Sequence, residues 1–293
     1  MRRSPWATLA VLALAQFIVV LDVTIVNVAL PHIQADLNFS ADSLQWVINA
    51  YTLLFGGFLL LGGRMADLLG PRRVFIAGLL LFGLTSLVAG LSNSPEFLIA
   101  ARAVQGLGGA LLSPAALAIL TVTFAHGRER NIAMGVWGGL AGLGGTLGVV
   151  AGGVLVDSLS WQWVFFVNVP IVLALVALIP VFVRDTRHNE GRDRTFDTAG
   201  AVLGTAGLLS VVYGVVRSEP KGWGSAEVVT FLAGGVALLI AFVLVEARSK
   251  APLVPLRLFR SRALSVSSGS LALNGAGFLS MFFLTAIYLQ QVR

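Results

Sequence analysis

The sequence predicts an all-α membrane protein whose chain crosses the bilayer many times. Three observations support this fold class: the mean hydropathy is +0.88, 57% of the 293 residues are hydrophobic, and only 12% are charged. A soluble domain has about a quarter of its residues charged, so this chain lacks the polar side chains that would cover a soluble body. A water-soluble enzyme is therefore excluded, and so is a disordered chain, because disorder requires a polar and charged composition.

The apolar residues form runs long enough for transmembrane helices, which need about 20 residues. They do not alternate as the roughly ten-residue strands of a membrane β-barrel do. We expect nine spans, at about 7–30, 44–62, 73–92, 96–122, 132–156, 162–183, 197–217, 226–246 and 264–289. The first run follows two arginines but has no small-residue cleavage site after it, so it is predicted to be a retained span and not a signal peptide.

Basic residues are distributed unevenly between the two sides of the predicted membrane. With the N-terminus in the cytoplasm, sixteen of the 20 Lys and Arg residues fall in cytoplasmic segments, three in external segments, and Arg102 inside a span. Positively charged loops stay on the cytoplasmic side, so this bias predicts the orientation and explains the isoelectric point of about 10.7 without nucleic-acid binding. Anionic membrane lipid is the expected partner of these residues, and the scarcity of Lys favours a bacterial plasma membrane.

The segment between the second and third predicted spans contains an ordered motif. Gly63 permits close packing at a helix end, Asp67 is placed to meet a helix N-terminus or an arginine, and Gly70 with the proline after it forms a turn. Two arginines, Arg72 and Arg73, follow on the predicted cytoplasmic side. An ordinary positive-inside turn would explain these arginines, but not the Gly-x3-Asp-x2-Gly-x-Arg-Arg spacing.

Two ionisable residues, Asp22 and Arg102, fall inside predicted spans, where a charge is costly and marks a functional site by default. Both lie about 10–12 Å below the external surface at a rise of about 1.5 Å per residue, so they share a depth and could interact. A nearby opposite charge favours the ionised carboxyl, whereas desolvation favours the protonated form, so Asp22 could load and release a proton. The alternatives for Asp22 are a structural salt bridge and a polar helix-end residue in a thin, water-filled cavity; for Arg102 the alternative is a side chain that reaches the membrane surface.

Several motifs, taken in order along the chain, resemble those of the major facilitator superfamily. Residues 63–73 resemble the loop between the second and third helices that is typical of the family. Four further segments resemble the fourteen-helix drug:proton antiporters of this superfamily: residues 21–31 of the first span, 45–51 of the second, 102–110 of the fourth and 157–170 at the start of the sixth. The resemblance covers essentially the whole chain.

A glycine-rich segment in the fifth span resembles the antiporter motif of this family, Gly-x3-Gly-Pro-x2-Gly-Gly, with one departure. Gly144, Gly148, Gly152 and Gly153 are in place, but Val149 occupies the proline position. Glycines in a span also serve the ordinary close packing of helices. The resemblance implies that this antiporter helix seals the path between a central cavity and the cytoplasm, with a bend made by the glycines alone.

The resemblance implies two six-helix halves around a site at the membrane midplane. Residues 1–183 would form the first half, 184–196 a charged cytoplasmic linker, 197–246 two inserted helices, 247–263 a basic cytoplasmic loop, and 264–293 the first helix of an incomplete second half. The chain is therefore expected to be truncated, with the missing C-terminal half as a partner if it is a fragment.

The function implied by the resemblance is proton-coupled export of small lipophilic or cationic drugs by alternating access. Asp22 and Arg102 would couple the protons, and residues 63–73 would gate the cytoplasmic side. Two alternatives stay open: a truncated membrane component that does not transport, and an exporter of a metabolite with the same fold. The expected partners are the small substrate, protons and membrane lipid, without nucleic acid.

Uncharged polar and aromatic residues in the spans are candidates for a substrate cavity, above all Asn27, Trp46, Asn49 and Gln105. Such residues also form hydrogen bonds between helices, and the same applies to Gln16, Gln45, Asn168 and Asn274. Trp161 and Trp163 are predicted at the membrane interface. Glu246 is predicted to be solvated at the cytoplasmic end of the eighth span.

The sequence also lacks the motifs of several other protein classes. It contains no cysteine, which excludes disulfides, iron–sulfur clusters and cysteine-based zinc sites. It has no Walker A loop for ATP and no selectivity-filter sequence. We therefore expect no metal, no cofactor and no enzymatic activity, with the proton gradient as the energy source.

Overall fold

The computed structural model describes residues 4–184, 197–249 and, with gaps, 252–277. Its helices are α1 (Pro5–Leu37), α2 (Ala41–Leu44), α3 (Trp46–Leu69), α4 (Pro71–Gly90), α5 (Pro95–Thr123), α6 (Arg128–Ser158), α7 (Trp163–Phe166), α8 (Asn168–Phe182), α9 (Thr198–Lys221) and α10 (Ala226–Arg248), followed by a 3-10 helix at Leu256–Arg260. The described part of the chain contains no strand, in agreement with the predicted all-α fold class.

Eight helical segments in the described part are long and apolar enough to cross a membrane, with α7 and α8 together forming one of them, Trp163–Phe182. They coincide with the first eight predicted spans. The predicted ninth span starts among the described residues, where 264–271 are helical, but 278–293 lie outside them. The predicted linker at 184–196 also lies outside the described residues, apart from its first position.

α3 and α4 are joined by a single residue. α3 continues to Leu69 and α4 starts at Pro71, so residues 63–73 are mostly helical, and the prediction of a loop there is wrong. Gly70 lies between the helices at φ 94°, a left-handed conformation that favours glycine. Pro71 then occupies the first helical position, where its fixed φ suits a helix start. The prediction failed because polar residues mark where a span leaves the membrane, not where its helix ends.

The core consists of two apolar clusters that follow one another along the helices. On α1 the first cluster includes Val19 and the second begins at Leu21, and on α4 the first includes Phe82 and the second Ala89. The buried polar residues in this part of the bundle lie near the boundary between the clusters: Asp22, Ser86, Arg102, Gln105 and Asn168. The apolar packing on both sides therefore encloses a polar layer.

Glycines allow the helices of the bundle to approach closely. A Cβ on Gly78 of α4 would lie 2.7 Å from the backbone nitrogen of Leu112 on α5, and a Cβ on Gly108 of α5 would lie 2.7 Å from that of Phe82. Real Cβ atoms do not approach so closely, so α4 and α5 pack backbone against backbone, as small residues permit in membranes. On other sides of the bundle, α6 packs along α1, and the pair α9–α10, the hairpin, packs along α3 through α9.

Candidate functional site

The structure brings Asp22 of α1 and Arg102 of α5 into contact in the interior of the bundle. Nη1 of Arg102 lies 2.5 Å from Oδ2 of Asp22, and both side chains are completely buried. Both residues lie within long apolar helices of 33 and 29 residues, so the packing of those helices carries the charges inside. A buried ion pair of this kind is stable only when further hydrogen bonds satisfy the remaining polar atoms.

Groups from α3 and α5 hold Arg102 in addition to Asp22. Its Nε donates to the carbonyl oxygen of Val47 at 3.0 Å, and Nη1 also donates to Oε1 of Gln105 at 2.8 Å. The guanidinium carbon lies 4.3 Å from the centre of the Tyr51 ring, within cation–π range. Arg102 would therefore keep contacts with α3 even without its bond to Asp22.

The second carboxylate oxygen of Asp22 faces two side-chain amides. Nε2 of Gln105 donates to Oδ1 at 2.9 Å, and Nδ2 of Asn168 donates to the same oxygen at 2.8 Å. Nδ2 of Asn168 also donates to Oγ of Ser86 at 3.0 Å, and the Ser86 hydroxyl donates to the carbonyl oxygen of Phe165 at 2.9 Å. We refer to Asp22, Ser86, Arg102, Gln105 and Asn168 as the Asp22 cluster, which joins α1, α4, α5 and α8.

The Asp22 cluster contains one carboxylate and one guanidinium, and its other groups are neutral. Three side-chain donors contact the carboxylate oxygens: Nη1 of Arg102, Nε2 of Gln105 and Nδ2 of Asn168. The ion pair of Asp22 and Arg102 connects α1 to α5. Among the described residues, no group of three or more His, Asp or Glu side chains could hold a metal ion.

The structure gives Gln105 and Asn168 of the Asp22 cluster other partners than the sequence predicts, and nothing in the sequence indicates that Ser86 belongs to the site. The sequence predicts Gln105 in a substrate cavity and treats Asn168 as one of several general polar contacts, yet both donate to Asp22. Asn168 lies within the apolar run around 164–172, where a hydrogen-bonding side chain needs a buried partner. This feature of the sequence could have indicated that Asn168 belongs to the site. Ser86 has no such feature, because a serine in a span usually bonds to its own helix.

The residues predicted as a gating loop lie at the α3–α4 junction. Asp67 and Arg73 are exposed there, and Arg72 is half-buried. The close approach expected at Gly63 occurs one residue earlier, at Gly62, where a Cβ would overlap the carbonyl oxygen of Ala110 on α5. A Cβ on Gly63 would make only an ordinary contact at 3.8 Å. The prediction misplaced this contact by one position because spacing alone does not fix the rotation of a helix.

Three of the four predicted antiporter-helix glycines face α1. These three are Gly144, Gly148 and Gly152, and a Cβ added at any of them would press against backbone or side-chain atoms of α1. At Gly148 it would overlap the hydroxyl of Thr24. Gly153 faces away, with no other atom within 4 Å. Val149, in place of the motif proline, is 53% exposed, and α6 is one continuous helix through it. The glycine face of α6 therefore packs on the part of α1 that carries Asp22.

The four predicted cavity residues lie in different places. Trp46 and Asn49 line a cavity of about 250 Å³ between α3 and α9, together with Gln45, Val216, Arg217, Glu219 and Pro220. Drug-sized ligands occupy pockets of about 300–1,000 Å³, so this cavity is small for such a ligand. Asn27 is exposed on α1 and donates to the carbonyl of Val23 in its own helix, at 2.8 Å.

Two residues predicted to face water or lipid headgroups are buried instead. Trp161 is 4% exposed, and its indole N–H donates to Oδ2 of Asp36 near the end of α1, at 2.7 Å. Glu246 is 3% exposed, and its Oε1 accepts the backbone N–H of Leu253 at 3.2 Å. Trp163 is 45% exposed, which agrees with the predicted interface position. The two predictions are wrong because a position at the end of a span does not show whether a neighbouring segment covers it.

The eight membrane-length helices of the described residues and the ion pair buried in the bundle define a polytopic membrane protein with an ionisable residue pair in its interior, a feature of transporters. The chain belongs to the Major Facilitator Superfamily, since the sequence model of that family matches residues 12–293.

Several curated bacterial relatives are named for export of, or resistance to, an antibiotic. The chain is 45% identical to the cephamycin export protein of Amycolatopsis lactamdurans over 95% of this chain and 57% of the relative. It is 44% identical to the puromycin resistance protein of Streptomyces alboniger (98% and 56%) and 38% identical to the tetracenomycin C resistance and export protein of Streptomyces glaucescens (100% and 54%). The chain thus spans about half the length of the curated relatives it matches.

Solved structures support the fold. The peptide transporter POT, crystallised with sulfate, aligns with a TM-score of 0.61 over 83% of this chain and 52% of that one. At 18% sequence identity this match shows the fold alone. Together with the bacterial relatives and the eight apolar helices, it identifies a bacterial membrane protein with the transporter fold of the superfamily.

Proposed function

We propose that this protein takes part in the export of small lipophilic or cationic antibiotics in exchange for protons, by alternating access. The observation that carries the proposal is the Asp22 cluster, in which one carboxylate and one guanidinium are completely buried between apolar helices. A charge in this position is costly, and its presence there is therefore an indication of function. The relatives named for antibiotic export and resistance suggest the substrate class.

Proton exchange at Asp22 would drive the conformational cycle. When the carboxylate takes up a proton, its attraction for Arg102 is lost, and Arg102 retains its bonds to α3. When the proton leaves, the ion pair forms again. The contact between α1 and α5 would thus differ in strength between the two protonation states, and a difference of this kind can bias a two-state equilibrium.

The other predicted motifs would act at a distance from this site. α6 packs through its glycines on α1, so a movement of α1 would be transmitted to the predicted antiporter helix. The α3–α4 junction with Gly70, Asp67, Arg72 and Arg73 would gate the predicted cytoplasmic face. Gly153 and Val149 lie on the opposite face of α6, where they would meet a second six-helix unit in a complete cycle.

The proposal is tested by Asp22→Asn in the protein expressed from its complete reading frame, assayed by dye efflux from everted membrane vesicles with an imposed pH gradient. We expect the proton-linked flux to be abolished, because Asn cannot exchange a proton. The matched control is Asp157→Asn, the same substitution at an exposed residue near the end of α6, which should transport normally. Unchanged efflux in the Asp22→Asn variant would refute the assignment.

A second measurement separates the transporting from the non-transporting alternative. The 293-residue chain is purified, reconstituted in liposomes without any partner, and given an imposed pH gradient. Substrate flux under these conditions would exclude a non-transporting component. Flux only from the complete reading frame would show that α1–α10 need a further unit for the cycle.

A further inference from the structure

The hydrogen-bond directions around Asp22 are fixed by chemistry, starting from Ser86. The Ser86 hydroxyl has a single proton, which it donates to the carbonyl oxygen of Phe165 at 2.9 Å. Its oxygen can therefore only accept from Asn168, so the nitrogen of the Asn168 amide must face Ser86 at 3.0 Å. The same nitrogen then presents its other N–H to Oδ1 of Asp22 at 2.8 Å.

The orientation of the Gln105 amide is likewise determined, in this case by Arg102. A guanidinium has no acceptor, so the group of Gln105 that meets Nη1 of Arg102 at 2.8 Å must be the oxygen Oε1. The nitrogen of Gln105 consequently faces Oδ1 of Asp22 at 2.9 Å. Both amides therefore donate to Oδ1, while Oδ2 contacts only Arg102 among the side-chain donors of the Asp22 cluster.

We propose that Asn168, held in orientation by Ser86, is a positioning residue that gives the two oxygens of Asp22 different roles. Oδ1 stays a hydrogen-bond acceptor in both protonation states, and Oδ2 is the atom that takes up the transported proton. This assignment rests on the proposed exchange of protons at Asp22. It adds Asn168 of α8, and Ser86 of α4 that orients it, to the site formed by Asp22 of α1 and Arg102 of α5.

The proton step is balanced within the Asp22 cluster. A proton forms an O–H bond at Oδ2, and the contact between Oδ2 and Nη1 of Arg102 breaks, because a protonated oxygen no longer attracts the cation. The positive charge stays on Arg102, which keeps the Val47 carbonyl and the Tyr51 ring. The bonds from Asn168 and Gln105 to Oδ1 persist, so the contact between α1 and α5 would lose its ion pair and weaken, while α1 stays attached to α8.

Few other charged or titratable groups face Asp22 from the helices packed against α1. α5 presents Arg102 and α3 presents Tyr51, whose ring lies against Arg102. α8 presents Asn168, and the adjacent turns of α6 present glycines. The remaining acidic and basic residues of α5 and α6 lie in their first or last turns: Glu96, Arg128, Glu129, Arg130 and Asp157.

The proposal is tested by infrared difference spectroscopy of the purified full-length protein, through the carboxylic acid C=O band that disappears in Asp22→Asn. If the proton is on Oδ2, the C=O group is Oδ1 with two amide donors, and its stretching frequency is lowered by both. Asn168→Leu removes one donor, so we expect the band to move to higher frequency. The pH at which half of the band is present should rise by about one unit, a tenfold gain in proton affinity, because the lost bond favoured the ionised form.

Ser86→Ala provides a milder variant in case Asn168→Leu does not fold. It frees the Asn168 amide to turn, so we expect the same direction of change with a smaller size. The matched control is Ser113→Ala on α5, a buried serine whose hydroxyl has no partner among the described residues, which should leave the band and its pH midpoint unchanged. An unchanged band in both Asn168→Leu and Ser86→Ala would overturn the proposal.

Transport measured on the same variants separates this proposal from the proposed function. We expect the pH profile of efflux to move with the infrared midpoint, while the KM for the drug stays the same. A band that shifts while the unsubstituted protein shows no proton-linked efflux would support the positioning role and refute the antiport. A loss of efflux with an unchanged pH profile and an unchanged band would show that Asn168 has only a structural role.

Discussion

The bundle α1–α8 and the hairpin α9–α10 are both built from membrane-length apolar helices, but they place their charges differently. In the bundle, Asp22 and Arg102 lie within the helices and are completely buried. In the hairpin, Glu227 at the start of α10 accepts from Arg217 at 3.0 Å and from Lys221 at 3.4 Å near the end of α9, and all three side chains are partly exposed. Carboxylate–cation pairs are therefore found both in the buried interior of the bundle and at the partly exposed end of the hairpin.

This difference shows which ion pairs carry functional information. An exposed pair at a helix end contributes little to stability and is screened by salt. A buried pair needs further hydrogen bonds, and in the Asp22 cluster Gln105, Asn168 and Ser86 supply several of them. Complete burial within the membrane-length helices, in contrast to the partly exposed ion pairs of the hairpin, is the reason why the proposed proton exchange is located in the bundle.

The largest effect is expected from Arg102→Leu, which leaves the Asp22 carboxylate buried without its cation. We expect the free energy of unfolding in detergent micelles to fall by about 3–5 kcal/mol. The double variant Asp22→Asn/Arg102→Leu should recover part of this loss, because neither charge then remains unpaired. Denaturant titration of both variants measures the difference, and equal stability of Arg102→Leu and the unsubstituted protein would contradict the role given to the ion pair.

An intermediate effect is expected at the contact between α6 and α1. Gly148→Ala places a methyl group against the Thr24 hydroxyl, and we expect a loss of about 1–3 kcal/mol from overpacking. Gly145→Ala is the matched control on the same helix, since nothing lies within 4 Å of its Cβ position. This control should be neutral or more stable, because Ala favours helix over Gly by about 1 kcal/mol. Thermal unfolding of the two variants gives the comparison, and similar losses in both would show that α6 does not pack on α1 through this face.

The smallest effect is expected from Glu227→Gln in the hairpin. The substitution removes the charge that Arg217 and Lys221 share, but all of these side chains contact solvent. We expect the melting temperature to change by no more than the error of the measurement, and proton-linked efflux to be unaffected. A loss as large as that of Arg102→Leu would erase the distinction between the bundle and the hairpin.

Much of the fold follows directly from the sequence. In a membrane, a run of about 20 apolar residues satisfies its backbone hydrogen bonds by forming a helix. Eight predicted spans accordingly coincide with eight helices in the described part of the chain. Boundaries were predicted less well where helices continue into water, as at α3, which continues to Leu69. The polarity of the side chains changes where a helix leaves the membrane, but its backbone hydrogen bonds can continue beyond that point.

The candidate site was predicted in part. Asp22 and Arg102 stand out because charges are rare in apolar runs, and their depths can be counted along each helix. Gln105 and Asn168 could not be assigned in this way, because the sequence does not show which neighbour a neutral amide faces. Glu246 and Trp161 were misplaced for the same reason, since the segments that cover them approach only in the folded chain.

The sequence by itself determined the all-α membrane fold, the first eight spans and the two charges that must lie inside them, because the bilayer imposes a length and a polarity on every segment. The tertiary structure alone decided that Asn168 and Ser86 complete the Asp22 site, that the glycines of α6 face α1, and that Trp46 and Asn49 lie next to α9. These contacts depend on the rotation of each helix about its axis, and that rotation is set by packing against neighbours, which no local pattern specifies.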